Sequence, residues 1–180
     1  MAPGKSTADK VTVIPCGAMT ADLTWLLIKP GMSITDSHYK DAPPPWVDVP
    51  TPCVLVETDE GRVLWDTSFE GPEFETVAGD TDFLPGIKLI ETPGHTVGTM
   101  SMQVDPPDTG SMIFTSDAVY MGGSYGPPAT PAAIVNNLED VYSAGEKLRG
   151  VQERTGAQMI FGHDAEQIHQ LRVGPDGSYT

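Results

Sequence analysis

No apolar run in this chain of 180 residues approaches the roughly 20 residues a helix needs to cross a bilayer. Residues Met1–Lys10 also lack the apolar stretch of a signal peptide. Both absences point to a soluble protein, with the cytoplasm as the expected location. Basic residues are scarce: 10 Lys and Arg stand against 25 Asp and Glu, for a net charge of −15. Binding to nucleic acid or to an anionic membrane needs clustered cations, so neither is an expected partner. The acidic excess reads as a solvated surface, and an acidic rim would attract cations and repel anionic substrates. Cysteine is limited to Cys16 and Cys53, far apart and outside C-x-x-C spacing. They read as small apolar residues of two strands, not as a zinc site or a disulfide framework.

What is present fits a globular protein. Hydrophobic residues make up 39% and charged residues 19%, and the length suits a single domain over 1–180 with a real core. Val11–Pro15 and Leu23–Lys29 read as strands, and Pro-rich Lys29–Asp48 as a long loop. Cys53–Thr58, the turn Asp59-Glu60-Gly61 and Arg62–Asp66 make the clearest hairpin. Phe69–Glu75 is a polar junction without periodicity. Ile87–Glu91 is a strand, and Thr99–Val104 with Met112–Thr115 reads as a second hairpin. Ser116–Pro128 reads as an irregular loop. Thr130 as N-cap and Pro131 at the first helical position predict a helix with Ile134, Leu138, Val141, Leu148 and Val151 on one stripe. Gly156 would close it, and Gly145 and Gly150 weaken its interior. Ala157–Phe161 is a last core strand, followed by a helical turn over Ala165–Leu171. Hairpins outnumber helical crossovers, which predicts an α/β fold with mixed sheets.

Chemistry-bearing residues gather just beyond three of these strands. His95 follows Pro93-Gly94, Asp117 follows Met112–Thr115, and His163 follows Ala157–Phe161. Each has a plain alternative: a turn histidine bonded to backbone, a loop-capping aspartate, a histidine beside the N-cap Asp164. Three such residues at three strand ends are how a sheet builds a shared site, and a His₂-carboxylate set can hold catalytic zinc or non-haem iron. Tyr120 shares the Asp117 loop, either as an anchor or as a phenol that hydrogen-bonds a carbonyl or oxyanion. His38, in the Pro-rich loop, and His169, in the short helix, read as exposed or packing residues.

Val54–Thr67 (VLVETDEGRVLWDT), Leu84–Met100 (LPGIKLIETPGHTVGTM), Ile113–Tyr120 (IFTSDAVY) and Ile160–Gln167 (IFGHDAEQ) resemble the N-acyl homoserine lactonase family of the metallo-β-lactamase superfamily. The resemblance implies an αβ/βα sandwich with a two-zinc site that opens lactone rings. By it, His95 binds one zinc, Asp117 bridges the two, His163 binds the second, and Tyr120 contacts the substrate carbonyl. The implied catalytic residues are Asp117 and Tyr120, the implied cofactor is one or two zinc ions, and the implied substrate is a small neutral lactone or ester.

The chain departs from that pattern at one place. The motif H-x-H-x-D-H is absent, and only Ser68–Ala78 fills the interval where the family carries it. A strand-helix block between about residues 68 and 78 is therefore missing, and with it four of the seven implied ligands. No histidine lies between His38 and His95, while Glu70, Glu73, Glu75, Asp80 and Asp82 offer only carboxylates. Two readings follow: a shortened hydrolase with reduced or lost lactonase activity, or a non-catalytic remnant that binds metal weakly or acts by association. A shortened sheet exposes core edges, which invites assembly into a homo-oligomer.

Overall fold

The computed structural model describes residues 8–22, 46–65, 77–127, 129–132, 134–171 and 178–179. Strands β1 (Lys10–Asp22), β2 (Trp46–Thr58), β3 (Gly61–Trp65), β4 (Thr81–Leu84), β5 (Ile87–Glu91), β6 (Met100–Val104) and β7 (Met112–Phe114) come first. A 3₁₀ turn at Ser116–Ala118 and the short helix α1 (Gly122–Tyr125) follow. Helix α2 (Leu138–Thr155), β8 (Gln158–Ile160), α3 (Ala165–Gln170) and β9 (Ser178–Tyr179) complete the order. One sheet runs β3-β2-β1-β9 and is antiparallel throughout. The other runs β4-β5-β6-β7-β8, antiparallel except for the parallel pair β7–β8. The expected mixed-sheet α/β architecture is present.

Strand alternation sorts the core into two layers. Ile87, Leu89, Met102, Val104, Met112, Phe114 and Ile160 face the other sheet and pack with Val11, Val54 and Val56. The opposite face of the same strands carries Ile90, Ile113 and Met159, which pack with Leu148 and Val151 of α2. Burial on both faces explains why β7 is a continuous apolar run, Met-Ile-Phe, with all three residues buried.

Both expected hairpins form, as β2–β3 and β6–β7. The expected strand at Leu23–Lys29 and the junction Phe69–Glu75 lie outside the described residues. Three details differ from the sequence reading. First, β4 had no clear pattern, because its four residues are an edge strand without a fully buried side. Second, the helix begins at Leu138 rather than at Pro131. The N–H groups of Asn136 and Asn137 donate to the carbonyls of Gly94 and His95, so the chain stays non-helical until Asn137. The Asn137 side chain then caps α2 by accepting from Glu139 N and Asp140 N. Ile134, placed on the buried stripe by periodicity, is 52% exposed. Gly156 closes the helix in the left-handed conformation as expected, and Gly145 and Gly150 do not break it.

The third difference concerns the cysteines. Cys16 and Cys53 form a disulfide, with Cα atoms 5.7 Å apart. Their wide sequence separation hides the fact that β1 and β2 are antiparallel neighbours. The register pairs Ile14 with Cys53, then slips between Pro15 and Gly17, leaving Cys16 as the extra residue beside it.

Leu148 is fully buried where α2 meets the sheet, whereas Tyr142 of the same helix is 46% exposed. Leu148→Ala is expected to cost about 2–5 kcal/mol of stability and Tyr142→Ala less than about 0.5 kcal/mol, read as shifts in urea midpoint. Equal shifts would contradict the assigned packing face.

Candidate metal centre

The three strand-end segments converge because buried polar side chains and close backbone contacts fasten them. After β5, Thr92 is fully buried and its hydroxyl meets Ser101 Oγ at 3.1 Å. Gly94 then turns with φ of 134°, and a Cβ there would lie 2.6 Å from the Val141 backbone nitrogen. Only glycine lets the His95 turn approach α2 so closely. After β7, the buried Thr115 hydroxyl lies 2.8 Å from the Val119 carbonyl and 3.2 Å from that of Ile160. It holds the Asp117 turn to the end of β8. Gly162 passes against the Ser116 backbone, where any side chain would collide. Asp164 completes the fastening: one carboxylate oxygen accepts from Gly122 N at 2.8 Å and the other from Gln167 N at 2.9 Å.

These constraints bring together all three residues expected from the sequence. His163 Nε2 lies 2.8 Å from Asp117 Oδ1, and His95 Nε2 lies 3.6 Å from Asp117 Oδ2. Each imidazole is fixed from behind by a backbone carbonyl. His95 Nδ1 meets Ile134 O at 2.9 Å, and His163 Nδ1 meets Pro50 O at 3.0 Å. A carbonyl only accepts, so each Nδ1 carries the proton and each Nε2 is turned towards the carboxylate. This back-side carbonyl bond is how metal-ligating histidines are commonly oriented.

The arrangement is a bridge rather than a cage. The two imidazoles address opposite oxygens of one carboxylate, and among the described residues no group of three or more His, Cys, Asp or Glu surrounds a single point. Two ligands at zinc distances sit about 3.4 Å apart in a tetrahedral site, close to the 3.6 Å His95–Asp117 separation. At 2.8 Å the His163–Asp117 contact is a hydrogen bond. Both nitrogens of His163 therefore face oxygen acceptors, Pro50 O and Asp117 Oδ1. The His95–Asp117 spacing is thus compatible with a shared cation, whereas His163 and Asp117 stand at hydrogen-bond distance.

Burial raises the pKa of the Asp117 carboxyl, but the hydrogen bond from His163 and the charges of His163 and His95 outweigh it. The net result lies below the ordinary carboxylate value of 3.8. Burial, reinforced by Asp117, pushes the Tyr120 phenol well above its usual range, so it remains a protonated donor. Its ring lies edge-on to His163, with centroids 4.9 Å apart, and its hydroxyl is 3.3 Å from His95 Nδ1. In front, Trp65, Thr96, Met100 and Ser116 line an open cleft of about 320 Å³ that includes His95 and Asp117.

Other sequence candidates stand elsewhere. Asp80 pairs with Lys147, and Asp82 lies 3.9 Å from Lys88. Glu70, Glu73, Glu75 and His38 lie outside the described residues, as does the side chain of His169. The Pro50 and Ile134 carbonyls escaped the sequence reading, since backbone acceptors leave no residue signature.

No protein-family model matches the chain. Over 103 residues it is 30% identical to an N-acyl homoserine lactonase of Bacillus thuringiensis, covering 57% of this chain and 40% of that protein. Over 89 residues it is 34% identical to N-acyl homoserine lactonase AttM of Azorhizobium caulinodans, covering 49% and 34%. The match thus spans two fifths or less of these curated relatives. Among solved structures, a quorum-quenching N-acyl homoserine lactone lactonase superposes with a TM-score of 0.78 at 19% identity, covering 95% of this chain and 98% of that one. An N-acyl homoserine lactone hydrolase with N-hexanoyl-L-homoserine at its catalytic metal center gives 0.76 at 19% identity.

Two outcomes test the site. The carboxylate's lowered pKa means Asp117 stabilises the folded state above the ordinary carboxylate value. That contribution is lost as pH falls from about 3.8 through the lowered pKa. Thermal unfolding across pH 2–5 should show this step in the wild type and not in Asp117→Asn; identical profiles would contradict the pairing. Gly162→Ala should destabilise by about 1–3 kcal/mol in denaturant titration through the collision with Ser116, and no loss would place that contact wrongly.

Proposed function

We propose that this relative of the N-acyl homoserine lactonases, which shares their metallo-β-lactamase-like fold, is a metal-dependent hydrolase that opens a small neutral lactone. The observation that carries the reading is the Asp117 carboxylate set between two imidazoles whose Nδ1 atoms are tied to backbone carbonyls. His95 and Asp117 would hold one zinc, and a second on His163 and Asp117 would replace their 2.8 Å hydrogen bond. Zinc bound there would supply Lewis-acid polarisation of the carbonyl and a water acidified towards neutral pH.

The chain's own residues support the rest of the reaction. Tyr120, kept protonated, can donate a hydrogen bond to the ester carbonyl as charge builds on its oxygen. The cleft of about 320 Å³ is at the small end of ligand sites and suits a single ring with part of a substituent. Lactone opening yields a hydroxy-carboxylate, and a net charge of −15 disfavours retention of that anion. Catalytic zinc usually takes three protein ligands, whereas each position has two among the described residues, so metal affinity and turnover should fall below those of lactonases with a complete ligand set.

The zinc-loaded full chain should release carboxylate from an N-acyl homoserine lactone in a pH-stat assay. Asp117→Asn and His163→Ala should abolish that release, and Tyr120→Phe should lower kcat by about 10²-fold if its hydroxyl serves as an oxyanion donor. No lactone opening at any zinc concentration would favour the alternative of a non-catalytic remnant acting by association.

A further inference from the structure

The carbonyl that fixes His163 belongs to a stretch of sheet poor in backbone donors. Around Pro50 the register pairs Pro15 with Pro52, Gly17 with Thr51 and Ala18 with Pro50. Three prolines in this patch have no N–H to give the ladder. The pairing also slips between Pro15 and Gly17, which leaves Cys16 as an unpaired extra residue and bends the strand. Close approach persists nonetheless: a Cβ on Gly17 would lie 2.9 Å from Thr51 Oγ1. The covalent link across the patch is the disulfide between Cys16 and Cys53. Cys53 is buried, but Cys16 is exposed, so a reductant can reach the bond.

We propose that this disulfide is a redox-sensitive clamp on the His95–Asp117–His163 centre, a regulation that rests on the metal-site reading above. In the oxidised state it holds β2 against β1 and keeps the Pro50 carbonyl on His163 Nδ1. A dithiol reductant breaks the S–S bond and delivers two electrons and two protons. Cys16 and Cys53 become thiols while the dithiol becomes a disulfide. The proline-rich patch, now joined only by a depleted ladder, loosens its hold on Pro50. His163 loses the partner that fixes its tautomer and ring orientation. Loss of such an outer partner weakens metal binding about 10- to 100-fold.

The test compares the oxidised full chain, the dithiothreitol-reduced chain after reductant removal, and the Cys16→Ser/Cys53→Ala double variant. Without metal, ¹⁵N-histidine NMR reads solvent exchange of the His163 Nδ1–H. Zinc affinity is read separately by competition with a chromophoric chelator. Exchange should be about tenfold or more faster, and zinc binding about 10- to 100-fold weaker, in both the reduced chain and the double variant. Because the double variant has no thiols, its change cannot come from cysteine ligation. If the double variant does not fold by circular dichroism, Cys16→Ser alone, at an exposed position, serves in its place. Equal exchange rates in all forms would overturn the clamp, and unequal exchange with equal zinc affinity would overturn its regulatory role. If no form binds zinc while exchange still differs, the metal reading fails and the mechanical clamp stands.

Discussion

One carboxylate shared by two imidazoles is the interaction on which the site depends. Asp117 is held below the ordinary carboxylate pKa although burial alone would raise it, because His163 and His95 stand on its two oxygens. Neither imidazole could hold that pose alone. One is braced by Ile134, just ahead of α2, and the other by Pro50 on β2 in the opposite sheet. The centre is therefore a product of the whole sandwich: its parts come from both sheets and from the segment that leads into the long helix.

That dependence explains where the chain places its buried polar groups. Thr92, Ser101 and Thr115 are fully buried, yet each hydroxyl is satisfied by a neighbouring strand end or turn. A buried hydroxyl left without a partner would cost about 1–3 kcal/mol. Here the same groups tie β5, β6, β7 and β8 together at the edge from which His95, Asp117 and His163 emerge. Gly94 and Gly162 belong to the same construction, since each allows a backbone approach that a side chain would prevent.

Much of this was legible in the sequence. The strands β5 and β7, both hairpins and the three strand-end residues follow from apolar runs and their punctuation. The start of α2 was not, because Thr130-Pro131 is a good local helix signal that loses to tertiary hydrogen bonds from Asn136 and Asn137 to the His95 turn. The disulfide was hidden by register, which a linear spacing of 37 residues does not reveal. The two carbonyls that orient the imidazoles were hidden for a simpler reason: every residue has one. The absent H-x-H-x-D-H motif was plain from the chain itself. The structure adds that His95 and His163 each pair with a different oxygen of the Asp117 carboxylate.

The most direct test of that arrangement is a zinc titration of the ¹⁵N-histidine-labelled chain followed by NMR. If Asp117 joins the two imidazoles in one centre, the Nε2 resonances of His95 and His163 should both shift on zinc binding while each Nδ1 keeps its proton. Both shifts should vanish in Asp117→Asn. Movement of one imidazole alone, or shifts that persist without the carboxylate, would contradict the account.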